Sequence, residues 1–349
     1  MDTRDIVNCH RCLSLLCLIP YSPHKSQQLV QKIYTSVLLI TILVIAVYGF
    51  YNVQGKEYIN DLAISVSVSG LVFLSQISAS TVVYCEMLTT YDQHVDFVNR
   101  TRCIYDTFSL LTRISGCCDI RAKSGCSSRK RQKYACITVV LGGSILTYMF
   151  FASFRNYYGF FWYSLPAVVI LYTRFMQISI CVDIIRDHVK ALNAHLQEIL
   201  RMKRLKSLIL SNLLTLKDIY TDISDIVGLF NEMFGWSIVS VVVCIFLDLT
   251  VHLYWGILAS DGFYSQYFLY IIVTVLVSLS LILSLFCYNC EQLQRNSAEY
   301  SAVVYEFSLQ IYSKPLYITA KEFFRADFKL LMAVSTTVNI KRRDKKKKQ

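Results

Sequence analysis

The sequence predicts an all-α polytopic membrane protein with six full transmembrane helices, an incomplete seventh, a cytoplasmic N-terminus and long cytoplasmic helical extensions. Three observations predict this fold class: six long apolar segments, basic residues concentrated in alternate connections, and a short last apolar segment that ends in a basic tail. The composition agrees, since 54% of the 349 residues are hydrophobic, 17% are charged and the mean hydropathy is +0.44. Such a composition is far from that of an average soluble domain.

Six segments are long enough to cross a bilayer. A helix rises about 1.5 Å per residue, so roughly 20 apolar residues cover a hydrocarbon core of about 30 Å. The six predicted spans are residues 33–51, 62–84, 134–154, 158–182, 234–255 and 267–287.

The basic residues predict the orientation of these spans, because short connections rich in Lys and Arg stay in the cytoplasm. Four basic residues precede the first span, nine follow the second and seven follow the fourth. Of the other three connections, the first contains one basic residue, Lys56, the second contains one, Arg155, and the third contains none. The N-terminus, residues 1–32, is therefore predicted to be cytoplasmic. The first span is expected to act as an uncleaved signal.

The cytoplasmic connections are predicted to be helical. They cover residues 85–133, 183–233 and 288–327, and apolar residues recur at helical spacing in the second of them. We expect the fourth and fifth spans to continue as helices, with a break at the basic cluster 201–206. The two apolar stripes should be buried in a packed layer. Their members are Ile185, Val189, Leu192, Leu196 and Ile199, and Leu216, Ile219, Tyr220, Ile223, Val227 and Phe230.

The last apolar segment, 328–340, contains thirteen residues and precedes the basic tail 341–349. Thirteen helical residues reach about 20 Å, which is short of the hydrocarbon core of about 30 Å. The tail contains seven cations, which the negative potential of the inner leaflet favours in the cytoplasm. A truncated seventh helix with a cytoplasmic tail is therefore expected.

Charge and cysteine content argue against nucleic-acid binding, structural disulfides and a zinc site. The net charge of +11 follows from the cytoplasmic bias of the basic residues and predicts attraction to anionic membrane lipid rather than nucleic acid. Thirteen cysteines lie in predicted spans or cytoplasmic segments, where thiols stay reduced. Cys9-x-x-Cys12 and Cys287-x-x-Cys290 have the spacing of half a zinc site, but neither has a clear second half. No metal, cofactor or enzyme constellation is predicted.

Five motifs in order carry a resemblance to the insect gustatory receptor family. Residues 216–220 (Leu-Lys-Asp-Ile-Tyr) and 231–235 (Asn-Glu-Met-Phe-Gly) resemble the approach to the fifth helix in that family. The segment from Cys290-Glu291 to Phe307 is similar to the stretch after the sixth helix. Residues 317–331 resemble the start of the seventh, and 15–21 the N-terminal pattern. The resemblance covers nearly the whole chain.

The resemblance implies a ligand-gated, nonselective cation channel in the plasma membrane, assembled as a homo- or hetero-tetramer with other gustatory receptors. In such receptors the seventh helix lines the pore, the cytoplasmic extensions form an anchoring domain, and a small-molecule tastant binds in the outer half of each subunit. The pore region would include Thr336 and Thr337, which precede the basic tail where the family continues with a longer apolar run. A subunit of this kind is expected not to conduct alone.

Ionisable residues inside a span are expensive and are functional candidates. Asp248 and His252 lie one turn apart on the fifth span, with Trp255 on the same face, about 21 Å and more from its cytoplasmic end. A carboxylate, an imidazole and an indole could bind a polar or aromatic ligand, or they could form an interhelical pair with a packing role. Tyr163 is a further ligand candidate near the outer end of the fourth span, where aromatics also form interface belts. Arg174 is expected to extend its side chain to the inner membrane surface.

Other functions remain as alternatives to a gustatory receptor. An insect odorant receptor or a G-protein-coupled chemosensor is the first, although the latter requires an extracellular N-terminus and its usual motifs are not found in the sequence. A small-molecule transporter is the second, but it would favour internal repeats and broken helices at matching positions.

Residues Asn99-Arg100-Thr101 form an acceptor sequon and test the orientation. The sequon lies in the connection with nine basic residues, so it should stay in the cytoplasm without a glycan. We expect glycosidase treatment to leave the electrophoretic mobility of the expressed protein unchanged. A mobility shift that disappears in Asn99→Gln would reverse the predicted orientation.

Overall fold

The computed structural model describes residues 25–54, 63–115, 161–201, 206–262, 266–306, 319–320 and 324–325. These residues form six helices and one short strand pair. The elements are α1 (Lys25–Gln54), α2 (Ala63–Thr89), α3 (Tyr91–Ser115), α4 (Phe161–Arg201), α5 (Lys206–Ser260), α6 (Gln266–Glu306), β1 (Thr319–Ala320) and β2 (Phe324–Arg325).

Four helices of the described part are long and apolar enough to cross a membrane. They contain the candidate spans Gln28–Asn52, Gly70–Thr89, Tyr163–Ile199 and Asn212–Ser260. The spans predicted at 33–51, 158–182 and 234–255 are helical throughout the residues that the structure describes. The span predicted at 62–84 is helical from Ala63, and that at 267–287 lies within α6. The span predicted at 134–154 and the seventh segment at 328–340 lie outside the described residues.

Three helices extend well beyond the length of a membrane span. α4 and α6 have 41 residues each and α5 has 55, so at about 1.5 Å per residue they are roughly 60 to 80 Å long. The predicted continuation of the fourth and fifth spans is confirmed. α4 is described to Arg201 and α5 from Lys206, and the predicted break at the basic cluster falls on residues 202–205, which lie outside the described residues.

The chain divides into two compact units. Unit 1 comprises Met1–Tyr91, Cys118–Gln177 and Trp236–Ile282, and unit 2 comprises Asp92–Cys117, Ile178–Gly235 and Leu283–Gln349.

The core of unit 2 contains the two predicted apolar stripes. Ten of their eleven members are at most 4% exposed, and Ile199 is half-buried. Burying these stripes follows from helical periodicity, since each stripe forms one face that must be removed from water. Tyr300 of α6 stacks on Tyr220 of α5 with ring centroids 4.6 Å apart. Burial raises the pKa of Tyr300, as does the neighbouring Tyr220, so its hydroxyl stays neutral.

Hydrogen bonds show the directions of the helices within each unit. In unit 2, α4 and α6 contact each other at pairs separated by 103, 103 and 102 residues, a nearly constant offset that indicates parallel helices. In unit 1, the partner of α2 moves back along α5 from Asp248 to Ser237 as α2 advances from Gln76 to Glu86. α2 and α5 are therefore antiparallel.

One segment differs from the predicted helix over 288–327. α6 ends at Glu306, and β1 pairs with β2 in an antiparallel register of Thr319 with Arg325 and Ala320 with Phe324. β-Branched and aromatic residues such as Thr319 and Phe324 favour an extended backbone over a helix.

A pair of leucine truncations tests whether the predicted stripe is a core. Leu192 is fully buried and Leu214 is 53% exposed. Leu192→Ala should destabilise the protein by about 2–5 kcal/mol because it removes buried methyl groups and leaves a cavity. Leu214→Ala should leave the thermal midpoint of the purified protein nearly unchanged. Equal shifts for the two variants would contradict the assignment of the stripe to the core.

Candidate ligand-binding site

The predicted ligand residues of the fifth span lie in the last part of α5. Asp248 and His252 precede the last residue of α5, Ser260, by about 18 Å and about 12 Å along the helix axis. Both side chains are half-buried. One helical turn separates them, so they share a face of α5 within unit 1.

The carboxylate of Asp248 faces Gln76 of α2. The Nε2 atom of Gln76 is 3.5 Å from each carboxylate oxygen, at the long limit for hydrogen bonds. The side chain of Gln76 is buried, with 9% exposure, and its Oε1 has no hydrogen-bond partner among the described residues. Within the same part of the chain, Asp248 forms no ion pair with Lys, Arg or His. Among the described side chains, the amide of Gln76 is the hydrogen-bond donor to this carboxylate.

The Nδ1 atom of His252 bonds to the backbone of Asp248 and not to its side chain. Its Nδ1 lies 2.6 Å from the backbone carbonyl oxygen of Asp248. A carbonyl oxygen can only accept, so Nδ1 carries the proton and Nε2 is an acceptor in the neutral ring. Nδ1 of His252 thus bonds within α5 while the carboxylate of Asp248 faces α2, and the ligand and packing interpretations both stay predictions.

Trp255 lies in an apolar cluster next to these polar groups. It is 8% exposed and packs with Val251, Ala259 and Ile272, and Tyr254 meets it edge-on with ring centroids 6.0 Å apart. Residues of α2 and α6 complete the cluster. Trp255 thus provides an apolar wall beside the face that carries His252, and its contact with a ligand stays a prediction.

Tyr163 packs against α1. Its hydroxyl accepts a hydrogen bond from Asn52 Nδ2 at 3.4 Å, and its ring meets Tyr48 edge-on at 6.0 Å. A Cβ atom at Gly49 would lie 2.5 Å from the Tyr163 ring, so only glycine permits this approach. The contacts of Tyr163 are with a different helix from those of Asp248, and its role as a ligand residue also stays a prediction. The pore candidates Thr336 and Thr337 lie outside the described residues.

The expectation for Arg174 is wrong, because its side chain is fully buried and does not reach a surface. Its Nη2 forms an ion pair of 3.1 Å with Glu86 Oε2 of α2. Its Nη1 donates to Gln177 Oε1 at 2.8 Å and contacts Met87 Sδ at 3.1 Å, and its Nε donates to Ser237 Oγ at 3.1 Å. An arginine extends to the interface when its own depth offers no counter-charge. Glu86 supplies that counter-charge.

Glu86 also binds the backbone of α5. Its Oε1 accepts from Trp236 N at 2.8 Å, its Oε2 accepts from Ser237 N at 3.1 Å, and the Ser237 hydroxyl donates to Oε2. Trp236 and Ser237 lie inside α5, so the carboxylate contacts two consecutive backbone N–H groups of a continuous helix, groups that are normally used by carbonyls four residues earlier. Gly235 directly precedes this point and weakens the helix locally.

Sequence reasoning missed Gln76 and Glu86. Each had a signal: Gln76 is an amide within an otherwise apolar predicted span, and Glu86 is an acid two residues beyond the end of that span. Neither signal identifies a partner, because Gln76 and Asp248 are 172 residues apart and Glu86 and Arg174 are 88 residues apart.

These features define a class of protein: a predominantly helical membrane protein with long apolar helices and buried polar groups between them. The particular family follows from sequence, since residues 6–339 match the family described as 7tm Chemosensory receptor. The chain belongs to this family. It is a family of receptors, not of enzymes, and the predicted resemblance to insect chemoreceptors is confirmed.

Individual proteins agree with this assignment. The chain is 27% identical over 356 residues to putative gustatory receptor 39b of Drosophila melanogaster, covering 92% of both chains. Its fold is similar to that of the olfactory receptor OR5 from Machilis hrabei, with a TM-score of 0.64 and 13% identity over 96% of this chain and 95% of that one. The complex of OR5 with eugenol gives a TM-score of 0.62 at 12% identity.

The buried ion pair can be tested by comparison with an exposed one. Glu86→Gln leaves the buried Arg174 cation without its anion and should destabilise the protein by about 3–5 kcal/mol. The matched control is Asp96→Asn, which breaks a pair whose side chains are 44% and 47% exposed, and should cost less than about 1 kcal/mol. Thermal midpoints of the purified full chain measure both effects.

A double substitution separates the charge effect from general damage at this position. Glu86→Gln combined with Arg174→Gln removes both charges and should recover part of the lost stability. A double variant that is as unstable as the sum of the two single variants would show that the ions contribute independently.

Proposed function

We propose that this chain is a gustatory receptor that forms a subunit of a ligand-gated, nonselective cation channel in the plasma membrane. The ligand is a small-molecule tastant that contacts Asp248, His252 and Trp255. The observation that carries the ligand site is the Asp248–Gln76 pair, a carboxylate with one long amide contact on an apolar helix. Ionisable groups at such positions are costly and are kept for function.

The proposed topology places the N-terminus in the cytoplasm. Support for this orientation comes from the distribution of basic residues. The helix directions within unit 1 support the predicted alternation of the spans. α2 is antiparallel to α5, and α4 is also antiparallel to α5 because Arg174 and Ser237 meet on two helices joined by a link of four residues. α2 and α4 thus have the same direction, as a topology with one crossing between them requires.

The proposed assembly is a homo- or hetero-tetramer with other gustatory receptors, and membrane lipid covers the outer helices. The exposed apolar surface of α1 supports contact with lipid or with neighbouring subunits, since Val30, Val47 and Tyr51 are 66%, 72% and 81% exposed.

An insect odorant receptor is the second candidate. The fold similarity to OR5 favours it, whereas the sequence similarity to a gustatory receptor of Drosophila melanogaster favours the first. The two candidates share the site and the channel mechanism and differ in the source of the ligand, which is dissolved for one and volatile for the other.

Substitutions in the proposed site test the function. The full chain, expressed with a second gustatory receptor as partner subunit, would be screened for tastant-evoked cation current. Asp248→Asn and His252→Ala should each raise the half-maximal agonist concentration, by about tenfold for loss of a hydrogen bond to a charged group. The control is Asp261→Asn, which changes an exposed acid at the end of α5.

Surface biotinylation should give equal amounts of all variants at the membrane. Agonist responses of both site variants that match the parent would contradict the proposed site, and currents that never exceed those of the partner alone would contradict the channel role.

A further inference from the structure

The polar groups around Asp248 leave acceptors, not donors, for a ligand. An ionised carboxylate only accepts hydrogen bonds. The Nε2 of Gln76 is directed to that carboxylate, which leaves the buried Oε1, an acceptor without a partner among the described residues. The Nδ1 of His252 is directed to a backbone carbonyl, which leaves the Nε2 acceptor in the neutral ring. A complementary ligand must therefore donate.

The charge of the site agrees with this donor requirement. Unit 1 contains a second carboxylate, Glu86, whose charge is balanced by partners within the protein. Glu86 has Arg174 as its cation, two backbone N–H donors and the Ser237 hydroxyl. Asp248 has Gln76 and, among the described residues, no ion-paired cation. A carboxylate inside an apolar helix is stabilised most by a partner of opposite charge.

The apolar side chains near Asp248 indicate the chemistry of the rest of the ligand. Trp255 lies on the same helix face as Asp248 and His252, within a cluster of Val251, Ala259 and Ile272. These apolar side chains favour a hydrophobic or aromatic body. A sugar or other polyol would need protein donors for its hydroxyl oxygens as well as acceptors for its hydroxyl protons, and the three polar groups leave acceptors.

We infer that Asp248, Gln76 and His252 recognise the protonated amine of a ligand with an apolar body. The ammonium group binds the Asp248 carboxylate and donates further hydrogen bonds to Gln76 Oε1 and His252 Nε2. The inference rests on the proposed function, since it assigns a ligand class to the same site. It adds the prediction that the site prefers a protonated amine over a neutral ligand of the same shape.

A pair of ligands that differ in one group tests this inference. Phenethylamine is protonated at neutral pH, and phenethyl alcohol has the same body with a neutral hydroxyl. Binding of each to the full chain in lipid nanodiscs would be measured by titration calorimetry, with sorbitol as the polyol. We expect the amine to bind at least about tenfold tighter than the alcohol, which corresponds to one charged hydrogen bond.

Two variants locate the preference. Asp248→Asn keeps the shape of the side chain and removes its charge, so it should bring the amine and the alcohol to nearly equal affinity. Asp261→Asn, which changes an exposed acid directly after the end of α5, should leave the amine preference intact. The comparison of two ligands on the parent protein does not depend on the folding of any variant.

Each result has a defined meaning. Tighter binding of phenethyl alcohol or sorbitol than of phenethylamine, sensitive to Asp248→Asn, overturns the amine class and leaves the proposed site standing. An amine preference that persists in Asp248→Asn, or no binding of phenethylamine at all, also overturns it. Tastant-evoked currents that are insensitive to both Asp248→Asn and His252→Ala would remove the proposed site itself.

Discussion

The ion pair between Glu86 and Arg174 is the interaction on which the arrangement of unit 1 depends. Both side chains are almost fully removed from solvent, and an isolated charge in that position would be very costly. The same carboxylate binds the backbone of α5 at Trp236 and Ser237. α2, α4 and α5 are thus held at one depth by a single acid. Moving any of the three helices along its axis would separate charges that cannot be rehydrated inside the bundle.

A second acid on the same pair of helices has the opposite character. Asp248 of α5 and Gln76 of α2 lie about 15 Å along the helices from the Glu86 cluster. The carboxylate of Glu86 is saturated by a cation and three donors, whereas that of Asp248 meets one amide at 3.5 Å. The first acid positions the helices, and the second has capacity for a further donor. One helix pair therefore combines the saturated ion pair with the position at which we propose ligand binding.

Unit 2 is built by a different principle. Its core consists of apolar faces on α4 and α5, with aromatic stacking of Tyr220 on Tyr300 and of Phe108 on His195. Polar contacts such as Arg186 with Asn289 and Asn193 with the carbonyl of Asn296 keep α4 and α6 in parallel register. Hydrophobic faces define which sides of the helices meet, but the polar pairs define the axial register, because hydrogen bonds are directional and dispersion contacts are not.

The amino-acid sequence was sufficient for the features that depend on local patterns. Hydropathy and helical periodicity predicted the helices, their extension to Arg201 and from Lys206, and the buried stripes from Ile185 to Phe230, because burial of an apolar face follows from spacing along one helix. Pairings between helices followed from tertiary structure. The sequence contained Arg174, Glu86, Gln76 and Asp248, but partners 88 to 172 residues apart are chosen by packing and axial register. For that reason the expected exposure of Arg174 was wrong, and the acceptor character of the Asp248 site emerged only when the donors of its neighbours were placed.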